Sequence, residues 1–159
     1  MTLTELFNIA DFTNEKGMLF NKNCMDLIKD IGGGTIDLTL TDIPYDSVNR
    51  ESNGLRNLDK GCADILTYDP DYVQPSDILE FNVVPNRKGK LHPTEKPVEL
   101  LEWLVKTYSN ENDIILDNCM GSGSTGIACI NTNRNFIGIE KDEKYFQIAK
   151  ERLDKSPIM

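Results

Sequence analysis

The chain is poor in the residues that build metal centres and membrane spans. It has one histidine, His92, and four cysteines, Cys24, Cys62, Cys119 and Cys129. No two cysteines form a C-x-x-C pair, so the pattern excludes a zinc framework and the thiols read as reduced packing residues. No apolar run approaches the ~18–20 residues that a membrane helix needs. The opening MTLTELFNIADFTNEKG carries acids and lacks a basic-then-apolar order. That argues against a signal peptide and for a cytoplasmic protein. Basic residues are outnumbered too: 17 Lys and Arg stand against 26 Asp and Glu, a net charge of −9. Phosphate contacts supply most non-specific affinity for nucleic acid, so a generic nucleic-acid binder is excluded. Contact with DNA has to rest on a local patch. Residues 86–96, NRKGKLHPTEK, offer one, with Arg87, Lys88, Lys90 and Lys96 against Glu95. A solvated loop carries such a run equally well.

What is present suits one soluble globular domain over 1–159. The 159 residues are 39% hydrophobic and 27% charged, enough to bury a core. GMLF (17–20) reads as a short strand. CMDLIKDI (24–31) sets Leu27, Ile28 and Ile31 at helical spacing, and Gly32, Gly33 and Gly34 end it. TIDLTLT (35–41) alternates as a strand does. Residues 46–91 are rich in Asp, Asn, Pro and Gly and read as a loop region, with one short strand at 77–84. PVELLEWLVKTY puts Val98, Leu101, Leu104, Val105 and Tyr108 on one helix face behind a starting proline. DIILDNC (113–119) and NFIGIE (135–140) are strands. DEKYFQIAKERL (142–153) is a helix capped by Asp142, with Lys150 and Arg152 towards its end, the charge order a helix dipole favours. Strands alternating with helices predict an α/β fold with a mainly parallel sheet.

Two short motifs carry chemistry. GSGSTG (121–126) matches G-x-G-x-x-G between a predicted strand and helix, with Glu140 at the end of the next strand. That context suits a dinucleotide. It suits S-adenosylmethionine equally: glycines let the backbone approach, and the acid takes ribose hydroxyls. A tight turn with no ligand is the plain alternative. Asp117 just before the loop is awkward beside a pyrophosphate and favourable beside an ammonium. The second motif is DIPY (42–45), a carboxylate, a rigid proline and an aromatic ring at a strand's end. Alone it is either a polar turn or a socket for a flat, amino-bearing ring.

Together these segments resemble the permuted, beta-type family of S-adenosylmethionine-dependent DNA amino-methyltransferases. DNCMGSGSTGIA (117–128) looks like the family's D-P-F-x-G-S-G-T motif. HPTEKP (92–97) matches the preceding motif letter for letter, and DIPY resembles the catalytic D-P-P-Y. FIGIEKDEKYFQIAKERL (136–153) and LFNKNCMDLIKDI (19–31) are similar to flanking segments. The resemblance implies a Rossmann-like class I methyltransferase sheet, circularly permuted in motif order, with fewer than seven strands. It implies four strands in the spatial order 18–21, 135–140, 113–117, 36–41.

It also implies roles. Asp42 and the carbonyl of Ile43 would accept the two N–H bonds of a base amine, Pro44 would hold the loop, and Tyr45 would stack on a flipped base. Asp117 would hold the methionine amine, Thr94 and Lys96 its carboxylate end, and Glu140 the ribose. Asn23 and Asn118 would lie near the cofactor, with Gly121, Gly123 and Thr125 shaping the cradle. No metal is implied. Adenine N6 is the implied target, with cytosine N4 or a catalytically weak cofactor- or DNA-binding remnant as alternatives. Arg50, Asn53, Arg56, Arg87, Lys88 and Lys90 are the candidates for DNA phosphate contact. The interval 46–91, where the family recognises its DNA sequence, is shortened. The strand at 36–41 is then a sheet edge, which a homodimer or partner subunit would complete. A bacterial or bacteriophage origin and a restriction-modification setting follow from the same resemblance.

Overall fold

A computed structural model describes residues 1–41, 91 and 95–156. These residues belong to one unit of the chain, Met1–Thr41 together with Phe81–Met159. Asp42, Ile43, Pro44, Tyr45, Arg50, Asn53, Arg56, Arg87, Lys88, Lys90 and Thr94 lie outside the described residues, as does the strand expected at 77–84.

The sheet runs in the order β1 (Phe12–Thr13), β2 (Gly17–Phe20), β5 (Asn135–Ile139), β4 (Ile114–Asp117), β3 (Leu38–Thr39). The four strands expected from the sequence take the expected order, all parallel to one another. The fifth, β1, was not expected. It pairs antiparallel with β2 through a tight turn, where Asn14 Oδ1 accepts from the backbone N–H groups of Lys16 and Gly17. The strand expected at 35–41 is shorter than its alternation suggested, with regular pairing over Leu38–Thr39 alone. Hydrogen bonds continue on both sides of it. Asp37 N donates to Ile114 O, Leu40 N donates to Leu116 O, and Asp37 Oδ2 accepts from Ile114 N. Among the described residues β3 is an edge.

Successive side chains of the central strands point to opposite faces. Leu19, Ile115 and Phe136 pack on one side with Val105, Cys129, Ile130, Phe146, Ala149 and Leu153. Phe20, Leu116, Ile137 and Ile139 pack on the other with Leu6 and Leu27. The first face is covered by α3 (Val98–Tyr108), α4 (Ser124–Asn131) and α5 (Glu143–Asp154), the second by α1 (Leu3–Ile9) and α2 (Cys24–Leu27). Two-sided burial explains why β4 and β5 are apolar runs instead of alternating ones.

Helix α1 went unassigned in the sequence. Thr2 caps it: Glu5 N donates to Thr2 Oγ1, and Glu5 Oε2 accepts from Thr2 N, a capping box that drives the fully buried Leu6 into the second face. The expected helix at 24–31 is split into α2 and a 3-10 turn at Ile28–Asp30. On α3, Leu101 and Val105 face the core as expected, but Tyr108 at the last turn is 64% exposed. Asp142 caps α5 as its position suggested, accepting from the N–H groups of Lys144 and Tyr145.

Candidate functional site

The carboxyl ends of β4 and β5, with the residues after them, gather the candidate groups. Open α/β sheets bind ligands in this place. Asp117, the last residue of β4, is 8% exposed. Its Oδ2 accepts from the Thr125 hydroxyl at 2.6 Å and its Oδ1 from Cys119 N at 3.1 Å. Gly121 and Gly123 both take the left-handed conformation, with φ of 54° and 79°. A side chain there would strain the backbone, so this turn requires glycine. Gly123 is the residue from which α4 starts.

Glu140 follows β5. One of its oxygens accepts from Gly121 N at 2.9 Å and the other from Asp142 N at 2.8 Å. The acid expected to receive a ribose therefore also fastens the glycine turn to the neighbouring strand. This bears on which ligand the turn suits. A dinucleotide site aims turn N–H groups at phosphate oxygens, whereas here the first glycine N–H is given to a carboxylate. With Asp117 and Glu140 both at the strand ends, the site presents acceptors and suits ammonium and hydroxyl groups.

Asn118 donates through Nδ2 to Cys24 Sγ at 3.8 Å, and its buried Oδ1 has no hydrogen-bond partner. Buried polar atoms are paired in all but a few cases, so an orphaned acceptor marks a place where a ligand donor fits. Asn23 caps α2 by accepting from Met25 N at 3.1 Å, which places it one residue from Cys24.

Cys119 is where the pieces meet. Burial raises its thiol above the ordinary range, and the charges of Cys24, Asp117 and Glu140 push the same way. A hydrogen bond with the Thr41 side chain acts against them. Cys24, Asp117, Glu140 and Thr41 come from four segments of the chain, and Thr41 is the residue before the D-I-P-Y tetrapeptide. Cys129, buried in the core, is raised further by desolvation and stays a packing thiol.

The structure thus brings together Asn23, Asp117, Asn118, Gly121, Gly123, Thr125 and Glu140, and adds Thr41 and Cys119. Lys96 is half-buried, beside Glu95. Arg152 of α5 was read in the sequence only as a charge at a helix end. Its Nη1 instead pairs with Glu95 Oε1 at 2.9 Å and donates to Ser124 Oγ at 3.0 Å and to Ser122 O at 3.3 Å. Nothing in the spacing of α5 points at this.

The fold defines a class before it defines a family: a mainly parallel sheet with a glycine turn after β4 and an acid after the neighbouring β5, as in methyltransferases of the Rossmann-like class I type. Residues 48–151 match the family model described as DNA methylase, of the N6-adenine and N4-cytosine type, and the chain belongs to that family. It is 45% identical over 82 residues to the type II methyltransferase M.HpaI of Haemophilus parainfluenzae, covering 50% of this chain and 26% of that protein. It is 44% identical over 63 residues to the DNA adenine methyltransferase YhdJ of Escherichia coli (strain K12), covering 40% of this chain and 21% of that one. These matches thus span about a quarter of the relatives' own length. In structure the chain is similar to the M1.HpyAVI–SAM complex, with a TM-score of 0.58 and 24% identity over 86% of this chain and 100% of that chain. It is also similar to the cytosine-N4-specific PvuII DNA methyltransferase, with a TM-score of 0.68 and 12% identity over 94% and 90%. Likeness at these identities shows the fold.

Proposed function

We propose that the chain transfers a methyl group from S-adenosylmethionine to the exocyclic amine of a base flipped out of DNA, adenine N6 first among the targets. The observation that carries this reading is the bond from Leu40 N to Leu116 O at 2.8 Å, which sets the strand before the D-I-P-Y tetrapeptide beside the strand that ends in Asp117 and the glycine turn. The residues present fit the cofactor: an unpaired buried amide oxygen, a left-handed glycine turn and two carboxylates at the strand ends.

The cofactor, when bound, supplies an activated methyl group on a sulfonium, so no metal is called for. Asp117 would hold its ammonium, Thr94 and Lys96 its carboxylate, and Glu140 its ribose while keeping the turn closed. Asn23 and Asn118 would serve the adenine end, beside Gly121, Gly123 and Thr125. The amine of adenine is a poor nucleophile because its lone pair is delocalised into the ring. Asp42 and the carbonyl of Ile43 would accept its two N–H bonds, freeing that lone pair. These acceptors aim at positive charge developing on nitrogen, the mirror image of an oxyanion hole. Pro44 would hold the loop and Tyr45 would stack on the base. Arg50, Asn53, Arg56, Arg87, Lys88 and Lys90 are the proposed phosphate contacts, which an acidic chain needs concentrated in one place. By kinship with type II methyltransferases, a restriction-modification system is the proposed setting.

One observation favours an addition. Strand β3 is an edge among the described residues, and an unpaired edge invites another strand. A second copy or a partner subunit would complete the sheet, and sedimentation of the purified chain tests this. The cofactor reading itself is tested by titration calorimetry. Binding of S-adenosylhomocysteine with none of NADH supports it; the reverse pattern removes it.

A further inference from the structure

Arg152 and Glu95 have no part in the scheme above, yet they join its two cofactor segments. Arg152 lies in the last turn of α5, where a cation suits the negative end of its own helix. Its guanidinium reaches instead to the first turn of α4. Nη1 donates to Ser122 O and Ser124 Oγ and lies 3.5 Å from Ser122 Oγ. That helix end carries partial positive charge, so a cation there needs a compensating anion. Glu95 supplies it at 2.9 Å. The Glu95 side chain is itself only 7% exposed, and a buried carboxylate persists only when it is paired. Its second oxygen accepts from Leu91 N at 3.0 Å, drawing in the start of the strap that carries HPTEKP.

We propose that Arg152 is a positioning residue for the cofactor. Through Glu95 it locks the segment bearing Lys96 against the glycine turn, which it grips at Ser122 and Ser124. This inference rests on the cofactor reading above. Thr94 and Lys96 flank Glu95 in sequence, and Ser122 and Ser124 flank the left-handed Gly123. One guanidinium nitrogen therefore sets the spacing between the two halves of the cradle. All four contacts converge on that nitrogen, whose two N–H groups they share, and a lysine ammonium likewise presents its donors at one point. Lysine is thus the conservative replacement and methionine the disabling one.

The test compares wild type with Arg152→Met, Arg152→Lys and the double variant Arg152→Met with Glu95→Met. Each is measured for its melting temperature and for its Kd for S-adenosylhomocysteine. Arg152→Met leaves a buried carboxylate unpaired, so it lowers both stability and affinity. The double variant replaces the pair by apolar groups, a change that is often neutral for folding. It should melt close to wild type and still bind on the order of ten- to a hundredfold more weakly, since a misplaced contact is costly even in a folded site. Arg152→Lys should recover part of the affinity. A merely structural pair would give a double variant that regains stability and affinity together, and that result overturns the proposal. Wild type that binds no S-adenosylhomocysteine removes the cofactor reading and this inference with it. Wild type that binds, alongside a double variant that binds equally well, removes the inference alone.

Discussion

The hydroxyl of Thr125 donates to Oδ2 of Asp117 at 2.6 Å, closing the glycine turn from its two ends. Both residues are buried, at 5% and 8% exposure. A short bond to a carboxylate is among the stronger hydrogen bonds. Thr125→Val keeps the shape and deletes the donor. It should cost about 1–3 kcal/mol of stability, the penalty for a buried acceptor left short of a partner. The urea midpoint of unfolding measures it, and Thr125→Ser should recover most of the loss.

Glu140 is predicted to matter twice, for the turn and for the ligand. Glu140→Ala releases the N–H groups of Gly121 and Asp142 together. Hydrogen bonds to charged groups contribute roughly 1.5–3 kcal/mol each, so the affinity for S-adenosylhomocysteine should fall about tenfold or more. Calorimetry checks this, and an unchanged Kd would remove Glu140 from the site.

Gly126 faces a crowded seam between α4, α5 and the sheet. A methyl group there would meet Leu153 Cδ2 at 2.8 Å and Phe136 Cε2 at 3.1 Å. Alanine is the better helix former by about 1 kcal/mol, but overpacking a tight core costs about 1–3 kcal/mol. The net effect of Gly126→Ala should be destabilising. Gly33 has nothing within 4 Å of the same position, so Gly33→Ala serves as the control. Thermal melts of the two variants separate crowding from glycine content.

Cys119 is exposed as a residue, yet its thiol is partly desolvated and is predicted to be sluggish. Its thiol is raised first by burial and then by the neighbouring Cys24, Asp117 and Glu140. The reactive species is the thiolate, so alkylation by iodoacetamide near pH 8 should be slower than in the unfolded chain. The folded value lies above the unfolded one. The stability this group contributes is therefore present below the ordinary thiol range and is lost as pH rises through the raised value. Peptide mapping after timed labelling reads the rate, and labelling as fast as in denatured protein would contradict the assignment.

Local chemistry made much of this fold legible in the sequence. Asp142 caps α5 because Asp, followed by an acid in the first turn, is a local device. The strands β4 and β5 and the glycine turn were readable for the same reason, since their signals lie within a dozen residues. Elements that depend on distant partners were hidden. Strand β1 is two residues long and exists because β2 offers it an edge. Arg152 looked like a helix-end charge because its partners Glu95, Ser122 and Ser124 are brought to it by the sheet. Tyr108 keeps the helical spacing of α3, yet it is the last residue of the helix and is exposed. Glu140 was legible as a site residue, yet its bond to Gly121 was not, because that bond crosses between two strands.

The central claim joins the glycine turn to the D-I-P-Y tetrapeptide in one methyl transfer, and Asp42→Ala separates them. Binding of S-adenosylhomocysteine to this variant should stay within about threefold of wild type, because the role proposed for Asp42 is in reaching the base. The deciding measurement is transfer of label from radioactive S-adenosylmethionine to unmethylated DNA, followed by nucleoside analysis. Label in N6-methyladenine with the wild-type chain, abolished in Asp42→Ala, is the predicted result. A folded, cofactor-binding wild-type chain that leaves the DNA unlabelled, or an Asp42→Ala variant with full turnover, would contradict it.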